Sequence, residues 1–229
     1  MGLDSFYEVS TWVLPVIIAI TFHEAAHGFI AWRLGDDTAK LLGRVTFNPI
    51  KHIDPFGTIL LPGLLILTRA PFLFGWAKPV PVNFHRLRHP RRDMIAVAAA
   101  GPGINLLLAL VAALIFPLFS RSTAAPPQWI AENLANAVWI NVILAVFNLI
   151  PLPPLDGGRI AVGLLPEPLA RPLARLERTG MLLLILVLFL LPLIGRELLG
   201  RDLNIMPWLL GGPVEWLVGV IARLSEMLQ

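Results

Sequence analysis

The chain contains no cysteine among its 229 residues, and only 14% of them are charged. The missing cysteine excludes disulfide bonds and thiolate metal ligands, so any metal site must be built from His, Asp or Glu. Soluble domains carry about 25% charged residues, so this chain has too few to cover a water-facing surface. Instead, 56% of its residues are hydrophobic. The composition therefore indicates a protein of the lipid bilayer.

Several stretches are long and apolar enough to span a bilayer, which takes about 20 mostly apolar residues. They cover residues 9–32, 94–119, 134–152, 180–195 and 205–222. Because they use most of the chain, little is left for a separate soluble domain, which needs at least about 50 residues. We expect an all-α polytopic membrane protein with about five transmembrane helices, folded as one domain over residues 1–229.

The region between the first two spans is broken by glycine and proline. Residues 33–54 include LLGRVTF, which has strand character, so we expect a non-helical region that can form a β-hairpin. Residues 56–74 are apolar but are interrupted by Pro62, Gly63, Arg69 and Pro71. Composition alone leaves open whether this second segment spans the bilayer or is re-entrant.

The basic residues lie mainly in the loops beside the apolar segments. The sequence pI is about 9.9, a value that can indicate nucleic-acid binding. Positive charge next to apolar spans is typical of membrane topology, because cytoplasmic loops carry an excess of Lys and Arg. We therefore expect this chain to lie in the lipid bilayer and not to bind nucleic acid.

Three ionisable residues interrupt the first apolar stretch. His23, Glu24 and His27 form HEAAH, which matches H-E-x-x-H. Residues i and i+4 share one face of a helix, so both imidazoles can bind one Zn²⁺ while the glutamate handles the metal-bound water. Each unpaired charge inside a membrane helix costs on the order of 2.5–3.5 kcal/mol. That cost favours a functional role over polar residues that only hydrogen-bond to neighbouring helices.

A catalytic zinc site needs three protein ligands, and HEAAH supplies two. The other histidines lie in basic, Pro-rich loops: His52, His85 and His89. Asp156 instead follows the apolar stretch 134–152 directly, in the turn PPLDGG. Gly157 and Gly158 allow positive φ and a close backbone approach there. Taken alone, Asp156 could be an Asp-Gly turn or a helix cap, but together with HEAAH it is the best candidate for the third ligand.

HEAAH at 23–27 and NLIPLPPLDGGR at 148–159 together resemble the site-2 protease family of intramembrane zinc metalloproteases, peptidase family M50. That family pairs H-E-x-x-H with a distant N-x-x-P-x-P-x-L-D-G. GPGIN at 101–105 and GWAKPVPVN at 75–83 are also similar to family segments. The resemblance covers about residues 10–160, the expected catalytic core. The helices at about 180–222 carry no family motif.

The resemblance implies an intramembrane endopeptidase with one Zn²⁺ per chain. Its implied metal ligands are His23, His27 and Asp156, its general base is Glu24, and its substrate-binding residues are Asn105 and Asn148. The implied substrate is a single-pass membrane protein, such as an anti-sigma factor or a signal-peptide remnant, cleaved in regulated intramembrane proteolysis. The PDZ or CBS domains common in the family are absent from the sequence.

The predicted site also constrains the topology. The histidines lie late in the first span and Asp156 follows the span 134–152, so these two spans must run in the same direction. We therefore expect that the segment 56–74 is re-entrant or lies against the protein. The positive-inside rule places 33–54 and 76–93 in the cytoplasm. We expect an external N-terminus and a site near the cytoplasmic face of a bacterial or archaeal cell membrane.

Two other functional classes fit parts of the pattern. A zinc transporter could also place His and Asp in membrane helices, but it would spread its ligands along a path and would not need a glutamate between the histidines. A non-catalytic membrane scaffold would have no use for the complete set of ligands and base. The sequence therefore favours the protease.

Overall fold

The computed structural model describes residues 3–67, 75–120, 128–201 and 203–228. Over these residues the protein is helical and has no β-strand. In chain order the helices are α1 (Leu3–Arg33), α2 (Thr38–Leu41), α3 (Leu61–Leu67), α4 (Pro90–Ser120), α5 (Gln128–Asn148), α6 (Asp156–Leu164), α7 (Glu167–Arg175), α8 (Gly180–Ile185), α9 (Leu191–Leu199) and α10 (Met206–Met227). The predicted all-α class is confirmed for the described part of the chain.

The centre of the fold is a bundle of α1, α4 and α5, each of which contacts the other two. Small side chains lie where these helices cross. Ala19 and Ala31 of α1, Ala109 of α4 and Ala145 of α5 are all fully buried. Small residues let helix backbones approach closely, which is the usual way to pack helices in a membrane, where lipid tails are as apolar as leucine.

Four helical stretches in the described residues have the length and apolarity to cross a membrane. They are Tyr7–Arg33, Pro90–Pro117, Gln128–Asn148 and Gly180–Leu198. The predicted fifth span, 205–222, is indeed helical, and its Val214 and Ile221 pack against Ala109 and Val142. It is not among the four stretches, and its sequence holds prolines, glycines, Glu215 and Arg223 among the apolar residues. The polytopic membrane architecture is confirmed, whereas the count of five spans is not.

Helix α5 is shifted from its predicted position at 134–152. It begins six residues earlier, where Trp129 Nε1 donates a 2.9 Å hydrogen bond to Ser10 Oγ of α1. Such polar contacts stabilise the first turn of α5, but a prediction from hydropathy does not detect them. The helix ends at Asn148 because Pro151 disfavours helical backbone in the residue before it. The chain therefore turns earlier than hydropathy predicts.

No strand forms within residues 33–54, so the β-hairpin prediction is not confirmed. Helix α2 and a 3₁₀ turn at Pro49–His52 lie there instead. Gly43 adopts a positive φ of 63° and reverses the chain. The next side chain, Arg44, donates a 2.7 Å hydrogen bond to the carbonyl of Lys78. Within the region, turn bonds such as Arg44 N–H to the carbonyl of Ala39 pair the backbone in place of a hairpin.

The two flanks of the segment 56–74 lie close together in the structure. The backbone N–H of Trp76 donates to the carbonyl of Gly57 at 3.1 Å, and the N–H of Lys78 donates to the carbonyl of His52 at 2.9 Å. A π-helical turn and α3 form the first part of this segment. Its last part lies outside the described residues. The two flanks of 56–74 are therefore direct neighbours.

Candidate metal centre

The three predicted metal ligands lie together in the structure. His23 and His27 are one turn apart on α1, and their Nε2 atoms are 3.0 Å apart. Asp156 is the first residue of α6, and its Oδ2 lies 3.3 Å from each Nε2. The three residues are nearly enclosed, with exposed fractions of 7%, 9% and 5%. The two histidines of the HEAAH helix and the carboxylate of the distant PPLDGG turn thus lie side by side.

The orientation of His27 follows from its second ring nitrogen. His27 Nδ1 lies 2.7 Å from the carbonyl oxygen of Val97 on α4. A carbonyl can only accept, so Nδ1 carries the proton and donates it. In the neutral ring Nε2 then presents its lone pair to His23 and Asp156. Fixing the far nitrogen in this way is how proteins orient histidines that bind metal.

His23 is oriented in the same manner by a side chain. Its Nδ1 lies 2.6 Å from Oδ1 of Asn105, which is fully buried on α4. The Nδ2 of Asn105 donates to the carbonyl of Ala19 at 3.1 Å, which sets the direction of the amide. Oδ1 therefore accepts the proton of His23 Nδ1. The Nε2 atom of His23 is left with its lone pair facing the cluster.

Nε2 of His23, Nε2 of His27 and Oδ2 of Asp156 can each donate an electron pair to a metal. These three atoms consequently face one another with no hydrogen atom between them. Asp156 Oδ2 is buried and has no hydrogen-bond partner, although both imidazoles are close. A buried polar atom without a partner costs about 1–3 kcal/mol, and more if it is charged. A cation bound between the three atoms would remove that cost. Two imidazole nitrogens and one carboxylate oxygen are a donor set that suits Zn²⁺, so these residues fit the metal.

Three glycines make room for this arrangement. A Cβ on Gly101 of α4 would lie 2.6 Å from His23 Nε2 and closer still to His27 Nε2. A Cβ on Gly157 would overlap the carbonyl of Leu149. The same holds for Gly158, where the obstacle is the backbone of Pro153. Gly157 and Gly158 lie in α6 and have no positive φ, so close approach is their role.

Glu24 points to a segment that crosses over α1. Its Oε2 accepts a 2.7 Å hydrogen bond from the backbone N–H of Val80. Val80 belongs to the extended segment 75–83 with the sequence GWAKPVPVN. The same valine packs on α1 one turn later, where a Cβ on Gly28 would lie only 3.0 Å from Val80 Cγ1. Sequence reasoning missed this contact because a backbone N–H leaves no side-chain signal.

The two predicted substrate-binding asparagines have different surroundings. Asn105 is fully buried and holds His23, so the structure gives it a positioning contact and no exposed amide. Asn148 is half-buried at the end of α5, and its Nδ2 donates to the carbonyl of Leu144 at 2.9 Å. Substrate binding by either residue stays a prediction.

Comparison with known proteins agrees with this site. The model of Peptidase family M50 matches residues 11–131 and 121–193. The Bacillus subtilis (strain 168) protein named "Putative zinc metalloprotease YwhC" is 41% identical over 196 residues, which cover 84% of this chain and 85% of that protein. No solved structure matches the chain.

Two mycobacterial proteins are also similar, and both are named "Putative zinc metalloprotease Rip2". The protein of Mycolicibacterium smegmatis is 31% identical over 181 residues, 79% of this chain and 66% of that protein. The protein of Mycobacterium tuberculosis (strain H37Rv) is 32% identical over 186 residues, 80% and 68% of the two chains. The chain therefore belongs to peptidase family M50 and is a membrane zinc metalloprotease.

Proposed function

We propose that this protein is an intramembrane endopeptidase that hydrolyses peptide bonds within the membrane-spanning segments of other membrane proteins. One observation carries the proposal: two members of the nearly enclosed cluster, His23 and His27, lie on a helix that is apolar enough to cross a membrane, and Asp156 of α6 completes the cluster. Charged and metal-binding groups are costly at such a depth and mark functional sites. A protease of this kind would act in regulated intramembrane proteolysis.

In this proposal the metal is held by Nε2 of His23, Nε2 of His27 and Oδ2 of Asp156. Catalytic zinc sites use three protein ligands and keep a further position open for water or substrate. When bound there, zinc would polarise the scissile carbonyl and lower the pKa of a water molecule to about 7. The carbonyl of Val97 and the amide of Asn105 keep the two imidazoles turned toward that position.

Glu24 is the proposed general base. It would accept the proton of the attacking water and pass it to the amine that leaves. The hydrogen bond from Val80 holds Oε2 and so limits the rotation of the carboxylate. A base that is already oriented needs no reorganisation when the proton moves, which is a general source of catalytic advantage.

The proposed substrate is a single-pass membrane protein, of which an anti-sigma factor or a signal-peptide remnant would be examples. Its helix hides each carbonyl in an i to i−4 hydrogen bond, so it must unwind locally before cleavage. An unwound strand needs new partners for its backbone. Asn148 lies just before the PPLDGG turn, and its Nδ2 is already used by Leu144. In this proposal its Oδ1 accepts an N–H of the substrate.

We further propose that the segment 56–74 is re-entrant. Its two flanks are hydrogen-bonded to each other through His52 and Lys78, and its start is bonded to the following flank through Gly57 and Trp76. A segment whose two flanks touch makes no net crossing of the bilayer. Spans α1 and α5 then run in the same direction, as the metal cluster requires. With the basic flanks in the cytoplasm, the N-terminus is external and the site lies near the cytoplasmic face of the cell membrane.

The function can be tested by comparing membrane protein fragments from cells that carry the wild type or Glu24→Gln. We expect fragments with ends inside transmembrane segments that disappear in the variant. Glu226→Gln is a suitable control, because it removes an exposed carboxylate of α10 far along the chain from the motifs. If no fragment depends on Glu24, the proposal is wrong. Zinc uptake into liposomes that survives Glu24→Gln would instead support a transporter.

A further inference from the structure

Asn141 of α5 is nearly fully buried, with 2% exposure, and it lies outside the HEAAH and PPLDGG motifs. Its Nδ2 donates to the carbonyl of Ala137 at 2.8 Å, one turn back on the same helix. Its Oδ1 accepts a 2.8 Å hydrogen bond from Nδ2 of Asn105. Because the amide group of Asn141 is fixed by its own helix, only its oxygen can face α4.

The direction of Asn141 decides the direction of Asn105. The two Nδ2 hydrogens of Asn105 go to Asn141 Oδ1 and to the carbonyl of Ala19. A flipped Asn105 would place its oxygen against both of these acceptors and its NH₂ group against His23. Two acceptors therefore lock Oδ1 of Asn105 onto His23 Nδ1, at 2.6 Å.

We infer that Asn141 is a positioning residue of the metal centre, which acts through Asn105 to keep the proton of His23 on Nδ1 and its Nε2 free for the metal. The relay runs from α5 through α4 to α1 and joins the three helices of the bundle at the level of the site. This inference rests on the proposed metal ligands. Outer partners of metal-binding histidines typically contribute 10–100-fold in metal affinity.

Asn133 provides a matched control on the same helix. It is buried to a similar degree, with 8% exposure, and its Nδ2 donates to the carbonyl of Trp129 at 2.8 Å, the same bond that Asn141 makes with Ala137. Its Oδ1, however, has no hydrogen-bond partner in the structure. Asn133→Leu and Asn141→Leu thus remove the same kind of bond within α5, and only the second change breaks the relay to His23.

The test measures zinc affinity of the full chain in detergent by competition with a chelator. We expect Asn141→Leu to weaken zinc binding about tenfold, because it acts one bond beyond the direct partner of the histidine. Asn133→Leu should leave the affinity unchanged. The absorption spectrum of bound Co²⁺ should shift for Asn141→Leu alone, since that spectrum reports ligand geometry and not the stability of the fold.

A double variant separates action through Asn105 from a direct effect. If Asn141 acts through Asn105, then Asn105→Leu with Asn141→Leu should bind zinc no more weakly than Asn105→Leu alone. Equal losses for Asn141→Leu and Asn133→Leu, or additive losses in the double variant, would overturn the inference. Because the readout is metal affinity, a failure of the Glu24 experiment would not change this result, so the proposed function and this inference can fail separately.

Discussion

The backbone N–H of Val80 holds Oε2 of Glu24 at 2.7 Å. This bond ties the proposed base to the extended segment 75–83, which is itself fixed at two other points. The carbonyl of Lys78 accepts from Arg44 at 2.7 Å, and the N–H of Asn83 donates to Asp36 at 2.6 Å. A short, proline-containing segment anchored on both sides of Val80 is well suited to hold a carboxylate in one orientation.

Replacing Val80 with proline should slow peptide hydrolysis. The change removes the donor N–H in a segment that has no regular secondary structure and already contains Pro79 and Pro81. A hydrogen bond to a charged group contributes about 1.5–3 kcal/mol, so we expect a fall in kcat of about tenfold or more with zinc affinity unchanged. Val82→Pro introduces the same ring without touching the Glu24 contact and should have a smaller effect. Faster turnover of Val80→Pro would show that the bond is inhibitory.

Replacing Asp156 with asparagine should reduce the stabilisation that zinc gives to the folded protein. The change keeps the size of the side chain but removes the carboxylate charge that would hold the cation. Metal that binds only the folded state stabilises it, so the unfolding temperature of the wild type should rise more with zinc than that of the variant. Thermal unfolding in detergent with and without a chelator measures the rise for each protein.

The control for that experiment is Asp54→Asn, which changes a carboxylate that caps the turn at Pro55–Leu60. It should lower the unfolding temperature slightly in both conditions, since asparagine is also a good cap. If Asp156→Asn and Asp54→Asn respond to zinc alike, Asp156 is not a metal ligand.

Adding one methyl group at Gly101 should abolish zinc binding. The Cβ of Gly101→Ala would lie 2.6 Å from His23 Nε2, inside the space that the metal and its ligands need. We expect zinc affinity to fall at least about a hundredfold, the upper range for a disturbed metal shell. Gly103→Ala is the matched control on the same helix, because its Cβ would meet nothing within 4 Å. If both variants bind zinc like the wild type, the two helices do not pack as described.

The topology can be tested with single cysteines, since the natural chain has none. Lys51→Cys and Lys78→Cys lie on the two flanks of the segment 56–74, and both positions are exposed. They should react with a membrane-impermeant thiol reagent only from the cytoplasmic side. Gln128→Cys, at the exposed start of α5, should react only from outside. Labelling of positions 51 and 78 from opposite sides would exclude a re-entrant segment.

The sequence predicted those parts of the site whose side chains occur in a short, recognisable motif. HEAAH fixes two imidazoles on one helix face because of the 3.6-residue helical repeat, and the structure brings both together. Asp156 could be paired with them because a carboxylate is unusual in an apolar stretch. These three residues do meet in the structure.

The remaining contacts of the site depend on how the helices and loops pack against each other. That packing cannot be predicted from a single sequence. The predicted substrate role of Asn105 stays a prediction, whereas its burial behind His23 depends on α4 turning that side toward α1. The contact of Val80 uses backbone alone. Gly101 in GPGIN did indicate such packing, since a glycine inside an apolar helix often marks a close approach of another helix. What approaches it becomes visible only in three dimensions.

The most direct test of the central claim uses the purified protein in liposomes together with a single-pass membrane protein of known sequence. The ends of the products are identified by mass spectrometry, with zinc removed, with zinc restored, and with Glu24→Gln. We predict cuts inside the transmembrane segment that appear only when both zinc and Glu24 are present. Cuts confined to the soluble parts of the substrate, or cleavage that continues in the Glu24→Gln protein, would contradict it.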